Sequence, residues 1–162
     1  ITGRAKDLII RGGHNIDPAM IEEALISHPS VAFVGAIGQP DAYAGELPCA
    51  YVELLAGASV SGEELAKYAA ANIAESAAIP KYVEVMPELP KTAVGKVFKP
   101  DLRRAAIARV YGEALKKAGV DARVVEVIDS KATGLTAIIE GGDDAAIGET
   151  LGKFPRPWTR AA

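Results

Sequence analysis

The chain has 162 residues, 49% hydrophobic and 24% charged, with a formal net charge of −3; this suits one folded domain with a small appendage and supplies no basic field for nucleic acid. The single cysteine, Cys49, excludes an intrachain disulfide and a cysteine-cluster metal site, and no apolar run approaches the roughly eighteen residues of a membrane span. The first residue, Ile1, is not a methionine and falls inside a motif, with no signal peptide before it, so the chain reads as a piece of a longer cytoplasmic polypeptide.

The predicted elements begin with an apolar run, Asp7 to Arg11, stopped by Gly12 and Gly13. Paired glycines tolerate positive φ, so His14 to Ile16 can return beside the run as a hairpin. Asp17 and Pro18 supply an N-cap and a proline at the first helical position; Ile21, Ala24, Leu25 and His28 then share one helical face, and Pro29 ends the helix. Val31 to Ile37 and Cys49 to Leu55 read as strands flanking a Gly38 to Pro48 loop rich in turn residues. Ser61 with Glu64 makes a capping box, and Leu65, Tyr68, Ala69, Asn72 and Ile73 form the inner face of the next helix. Tyr82 to Met86 is a further strand. After a loop carrying Lys96, Lys99-Pro100-Asp101 leads into a helix with Leu102, Ala105, Ala106, Arg109 and Val110 at helical spacing. The order β-β-α-β-β-α-β-loop-α predicts an α+β fold, a small mixed sheet with helices, over residues 1–117.

Residues 118–162 form a second region, an α/β extension of unassigned role. Arg123 to Ile128 and Leu135 to Ile139 read as strands around a Thr133-Gly134 turn, and Asp143 to Leu151 as a short helix, a unit able to extend the sheet. Phe154-Pro155-Arg156-Pro157-Trp158 is a terminal aromatic and proline segment, either tucked onto the domain or loose.

Chemistry concentrates in Leu89-Pro90-Lys91-Thr92-Ala93-Val94-Gly95-Lys96. A lysine at a loop tip is a movable point charge with three donors, suited to an anionic oxygen; read alone, it is as well a solvated lysine in a turn. A phosphate loop of the Walker type needs a glycine where Pro90 stands and Ser or Thr where Val97 stands, which weakens a stand-alone nucleotide cradle. Cys49 reads as a small buried strand residue, and His14 and His28 as solvent-facing or helix-end groups rather than a metal pair.

The opening run Gly3-Arg4-Ala5-Lys6-Asp7-Leu8-Ile9-Ile10-Arg11-Gly12-Gly13-His14-Asn15-Ile16-Asp17-Pro18, joined with Pro90-Lys91-Thr92 and Gly95-Lys96, resembles the C-terminal domain of the adenylate-forming enzymes. These comprise acyl-CoA synthetases, aryl-CoA ligases, firefly-type luciferases and the adenylation domains of peptide synthetases. Pro40-Asp41 through Gly45-Glu46 looks like a third segment of the same pattern, and the resemblance covers roughly residues 1–110.

The resemblance implies a mobile C-terminal lid acting with an N-terminal domain of the same polypeptide. In its first step a carboxylate attacks the α-phosphate of Mg2+-bound ATP to give an acyl adenylate and pyrophosphate. In the second the thiol of CoA displaces AMP, after the lid has swung on a hinge. By the same resemblance Lys96 is the catalytic lysine of the first step, Arg4 contacts the nucleotide and Lys6 is the hinge. Gly12 and Gly13 pass the pantetheine arm, a role the register favours for Gly13 and leaves level with a plain turn for Gly12. ATP and CoA are the cosubstrates, Mg2+ falls to the other domain, and a lysine acetyltransferase acting at Lys96 would remove its charge. Asn15 and Ile10 depart from members that carry basic residues there, so those contacts are not transferred; Met20 is packing variation beside a retained Glu22. Two alternatives stay open: the lid of an adenylation domain serving a carrier protein, and a stand-alone nucleotide-binding or interaction module.

Overall fold

A computed structural model of the chain describes residues 7–162. The chain divides into two compact units, one formed by residues up to Gly38 with Glu46–Leu102, the other by Gln39–Gly45 with Arg103–Ala162.

The first unit carries β1 (Ile9–Arg11), β2 (His14–Ile16), α1 (Pro18–Ile26), most of β3 (Val31–Asp41) and β4 (Gly45–Leu54), α2 (Gly62–Asn72) and β5 (Val83–Val85). Its sheet runs β2-β1-β4-β3, with β5 parallel to β4 in the register Ala50↔Val83 and Val52↔Val85. The expected caps form: Asp17 Oδ1 accepts from the Ala19 N–H at 3.0 Å, and Ser61 Oγ from the Glu64 N–H at 3.1 Å. Ile9 and Ile16 face each other across β1 and β2 and are buried with Ile21 and Leu25 of α1, Leu65 and Ala69 of α2, and Ala50 and Val52 of β4. Cys49 is fully buried on β4, and Met20 packs against the core.

Three local expectations are corrected. The segment Gly38 to Pro48 is mostly strand, and only residues 42–44 turn. Asp41 Oδ2 closes that turn by accepting from the Tyr43 and Ala44 N–H groups at 3.0 and 2.8 Å. Pro40 is tolerated because β3 ends the strand order, where a missing N–H removes least from the ladder. On α2, Asn72 is exposed and turns its amide onto the Tyr68 carbonyl, while Ile73 is buried just beyond the helix in extended backbone. His28 lies past the end of α1, where its Nδ1 accepts from the Ser30 N–H at 3.0 Å.

Helix α3 (Lys99–Lys117) is followed by β6 (Ala122–Ser130), β7 (Gly134–Gly141), α4 (Asp144–Leu151) and β8 (Trp158–Arg160). The buried stripe of α3 in the second unit is Ile107, Tyr111 and Leu115, one turn apart at each step, with Val110 partly buried against the same core. It packs with Val127, Ala137, Ile139, Ile147 and Leu151 in a separate core. The strands do not extend the first sheet; they make their own, in the order β6-β7-β8, with β8 parallel to β7. The terminal segment is therefore tucked in. Tyr111 Oη donates to the Arg156 carbonyl at 2.7 Å and accepts from the Arg156 N–H at 3.0 Å, and Arg160 donates to the Gly141 carbonyl.

Candidate functional site

Pro90 to Phe98 folds as a short hairpin that ends in Lys96. Lys91 and Val97 bridge antiparallel, the Phe98 N–H reaches the Pro90 carbonyl at 2.8 Å, and the Thr92 N–H reaches the Lys96 carbonyl at 2.7 Å. The Gly95 N–H closes a turn onto the Thr92 carbonyl at 2.9 Å. Gly95 then takes φ +86°, a left-handed conformation that a side chain resists, and so turns the chain into Lys96. Thr92 supplies one more tie, its Oγ1 accepting from the Lys96 N–H at 3.2 Å. Residues 92–96 are all exposed.

The other lysine of the hairpin has a different environment. Lys91 Nζ lies 2.6 Å from Glu53 Oε1 and 4.3 Å from the centre of the Phe33 ring, with both charged side chains less than one-fifth exposed. The same carboxylate oxygen accepts from the Leu89 N–H at 2.9 Å. The Lys91 bond first, and the Leu89 N–H after it, hold the Glu53 carboxyl below the usual glutamate range, against the upward push of burial.

Gly12 and Gly13 form the second exposed turn, with φ +60° at Gly12 and open space where either Cβ would stand. Three ties fix the strands beneath it. Glu46 Oε1 accepts from the Ile10 N–H at 2.8 Å, Arg11 donates to the Ala77 carbonyl at 2.8 Å, and His14 Nε2 contacts Glu75 Oε1. An open backbone turn on a braced stem admits a ligand chain along its surface, and an exposed ammonium on a braced hairpin can meet an anionic oxygen.

Gly12 and Gly13 are thus brought together at one turn and Lys96 placed at another; the bonds that fix the two turns share no residue. Arg4 and Lys6 lie outside the described residues. Sequence reasoning passed over Glu53, whose signal was faint: one acidic residue near the end of an apolar strand. Among the described residues no group of His, Cys, Asp and Glu side chains is clustered to hold a metal ion, so none is assigned to Mg2+. No helix among them is long and apolar enough to cross a membrane.

A small mixed sheet with helices is the architecture of the C-terminal domain of adenylate-forming enzymes. Residues 20–96, ending on Lys96 itself, match the AMP-binding enzyme C-terminal domain, and that stretch of the chain belongs to the family. It is 47% identical over 137 residues to a marinolic acid–CoA ligase of Pseudoalteromonas sp. (strain SANK 73390), covering 83% of this chain and 21% of the ligase. It is 44% identical over 99 residues to a long-chain-fatty-acid–CoA ligase of Bacillus subtilis (strain 168), covering 61% and 18%. Among solved structures, a fatty acyl CoA synthetase of Mycobacterium tuberculosis superposes with a TM-score of 0.56 at 36% identity, over 62% of this chain and 20% of that one. The chain spans about a fifth of the length of these relatives. Wherever it begins, an alignment covering 83% of the chain runs beyond α3 into β6, so the likeness to the marinolic acid–CoA ligase includes part of the second unit.

Proposed function

We propose that this chain is the C-terminal lid of an ATP-dependent acyl-CoA synthetase and works on an active site shared with an N-terminal domain of the same polypeptide. The exposed ammonium of Lys96 on its braced hairpin carries this reading. Adenylation brings two anions together, a carboxylate and the α-phosphate, and a cation between them lowers the barrier electrostatically. Lys96 would supply that charge and Arg4 the nucleotide contacts. For thioester formation Lys6 would serve as the hinge, and the bare backbone of Gly12 and Gly13 would line the path of the pantetheine arm. The products are pyrophosphate and acyl adenylate, then acyl-CoA and AMP. ATP with its Mg2+, CoA and a carboxylic acid are the implied substrates, in the cytoplasm, with the metal outside this chain's assigned residues.

Because Lys96 is exposed while Lys91 is paired, acetylation by a lysine acetyltransferase would fall on Lys96 and block adenylation. Calorimetry separates the lid from a stand-alone nucleotide module. The isolated chain should bind ATP no tighter than roughly millimolar, and micromolar binding would overturn the lid reading. Transfer to a carrier protein's phosphopantetheine in place of free CoA would identify the adenylation-domain alternative.

A further inference from the structure

We infer that Glu53 and Lys91 form a positioning pair for Lys96, seating the lysine hairpin on β3 so that its ammonium is presented at a fixed place. The inference rests on the reading of Lys96 as the adenylation lysine.

The tip of the hairpin, residues 92–96, is exposed throughout and has no buried side chain with which to fix itself. A two-stranded hairpin held by a few main-chain bonds is marginal in water. Its orientation must therefore come from the stem. Leu89 is 2% exposed, and its N–H and the Lys91 ammonium converge on one oxygen of Glu53, at 2.9 and 2.6 Å. Lys91 also donates to the Leu89 carbonyl at 3.3 Å and stands over the Phe33 ring.

The opposite stem strand is seated on the same face of β3. Phe33 and Gly35 are two residues apart and point the same way. A Cβ built on Gly35 would come within 2.9 Å of the Val97 side chain, so the absence of one lets Val97 lie close to β3. Lys91 and Val97 are direct cross-strand partners, and Lys96 immediately precedes Val97. Releasing Lys91 from Glu53 frees one leg of the stem and lets the tip pivot on the other. Lys91, occupied by Glu53 and Phe33, is an anchor and takes no part in the reaction.

Two measurements on the intact polypeptide test this. Pyrophosphate release is followed with ATP and the carboxylate turned over fastest from a panel of straight-chain fatty acids and benzoates. The variants are Glu53→Gln, Lys91→Met and their combination, each with and without Lys96→Ala. The positioning role predicts that either single substitution lowers kcat roughly ten- to hundredfold, the range expected when a catalytic group is misplaced by about an ångström. It also predicts little change in KM, no further loss in the combination, and no effect in the Lys96→Ala background. Thioester formation from supplied acyl adenylate should be unchanged, which a general folding defect would not allow, and Lys91→Arg should restore adenylation. Losses that add to Lys96→Ala, or that lower both half-reactions, overturn the proposal. If Lys96→Ala itself leaves adenylation intact, the reading of Lys96 fails instead. Hydrogen exchange gives an answer independent of activity. The Thr92, Lys96 and Phe98 amides should exchange faster in Glu53→Gln while the Ala50 amide is unaffected, and unchanged exchange at all four would overturn the proposal.

Discussion

A carboxylate oxygen of Glu46 lies 2.8 Å from the main-chain nitrogen of Ile10, so a side chain from β4 grips the strand that leads into the glycine turn. The same carboxylate lies against Gly38, where a Cβ would come within 2.7 Å of it. Glu46→Ala should remove the grip and Gly38→Ala should displace it. Each is expected to weaken the hairpin by about 1–3 kcal/mol, to speed exchange of the amides in residues 9–16, and to slow thioester formation more than adenylation. Equal slowing of both half-reactions would detach the Glu46 contact from the glycine turn's role.

Gly62 opens α2, where alanine would normally favour the helix by about 1 kcal/mol. Its missing Cβ would lie 2.2 Å from the Val83 carbonyl oxygen, a rigid backbone atom of β5. Gly62→Ala should therefore destabilise the first unit by about 1–3 kcal/mol, read as a lower denaturant midpoint. A neutral or stabilising result would show that α2 and β5 can separate.

Tyr111 is fully buried in the second unit, and burial pushes its phenol up from 10.0 to about 12, only partly offset by the Arg156 N–H that donates to its oxygen. A group with a raised folded pKa contributes stability that is complete below its unfolded value and is lost as pH climbs through the folded one. The second unit should thus lose stability between pH 10.0 and about 12. Absorbance near the phenolate band should show Tyr111 titrating late. Tyr111→Phe should abolish that late step, cost about 1–3 kcal/mol, and raise hydrogen exchange in residues 154–160.

The Glu53 carboxyl gives the opposite sign. Its folded pKa is depressed, so the stabilisation it lends the lysine hairpin is present above the ordinary glutamate value and is lost as pH falls through the lowered one. Carbon-detected NMR titration should find Glu53 ionising below the usual glutamate range, moving up toward it in Lys91→Met. An ordinary value in the unsubstituted chain would mean that the Lys91 pair does not persist in solution.

Most of the first unit was legible because its local signals agree with its packing. Asp17-Pro18 and Ser61 through Glu64 cap the helices they announce, and Gly12-Gly13 turns the hairpin as expected. The errors arose where a local signal competes with a distant partner. Turn-forming residues from Gly38 to Pro48 suggested a long loop, yet pairing of β3 with β4 carries the strands to Asp41 and Gly45. Leu102, Ala105, Ala106, Arg109 and Val110 do lie on α3, but helical spacing alone did not pick out Ile107, Tyr111 and Leu115, which the core of the second unit buries. Lys96 stood out through its glycine turn. Glu53 did not, because its partners Leu89 and Lys91 are 36 and 38 residues away in sequence and no periodicity links them.

The most direct test of the account separates the two half-reactions in Lys96→Ala of the intact polypeptide. Pyrophosphate release on mixing with ATP and a turned-over carboxylate measures adenylation, and thioester formation from supplied acyl adenylate and CoA measures the second step. Loss of a charge that acts only at the adenylation transition state should lower the first about 10²- to 10³-fold and leave the second within about threefold of the unsubstituted protein. Retention of adenylation, or an equal fall in both steps, would contradict the assignment of Lys96 and with it the proposed lid.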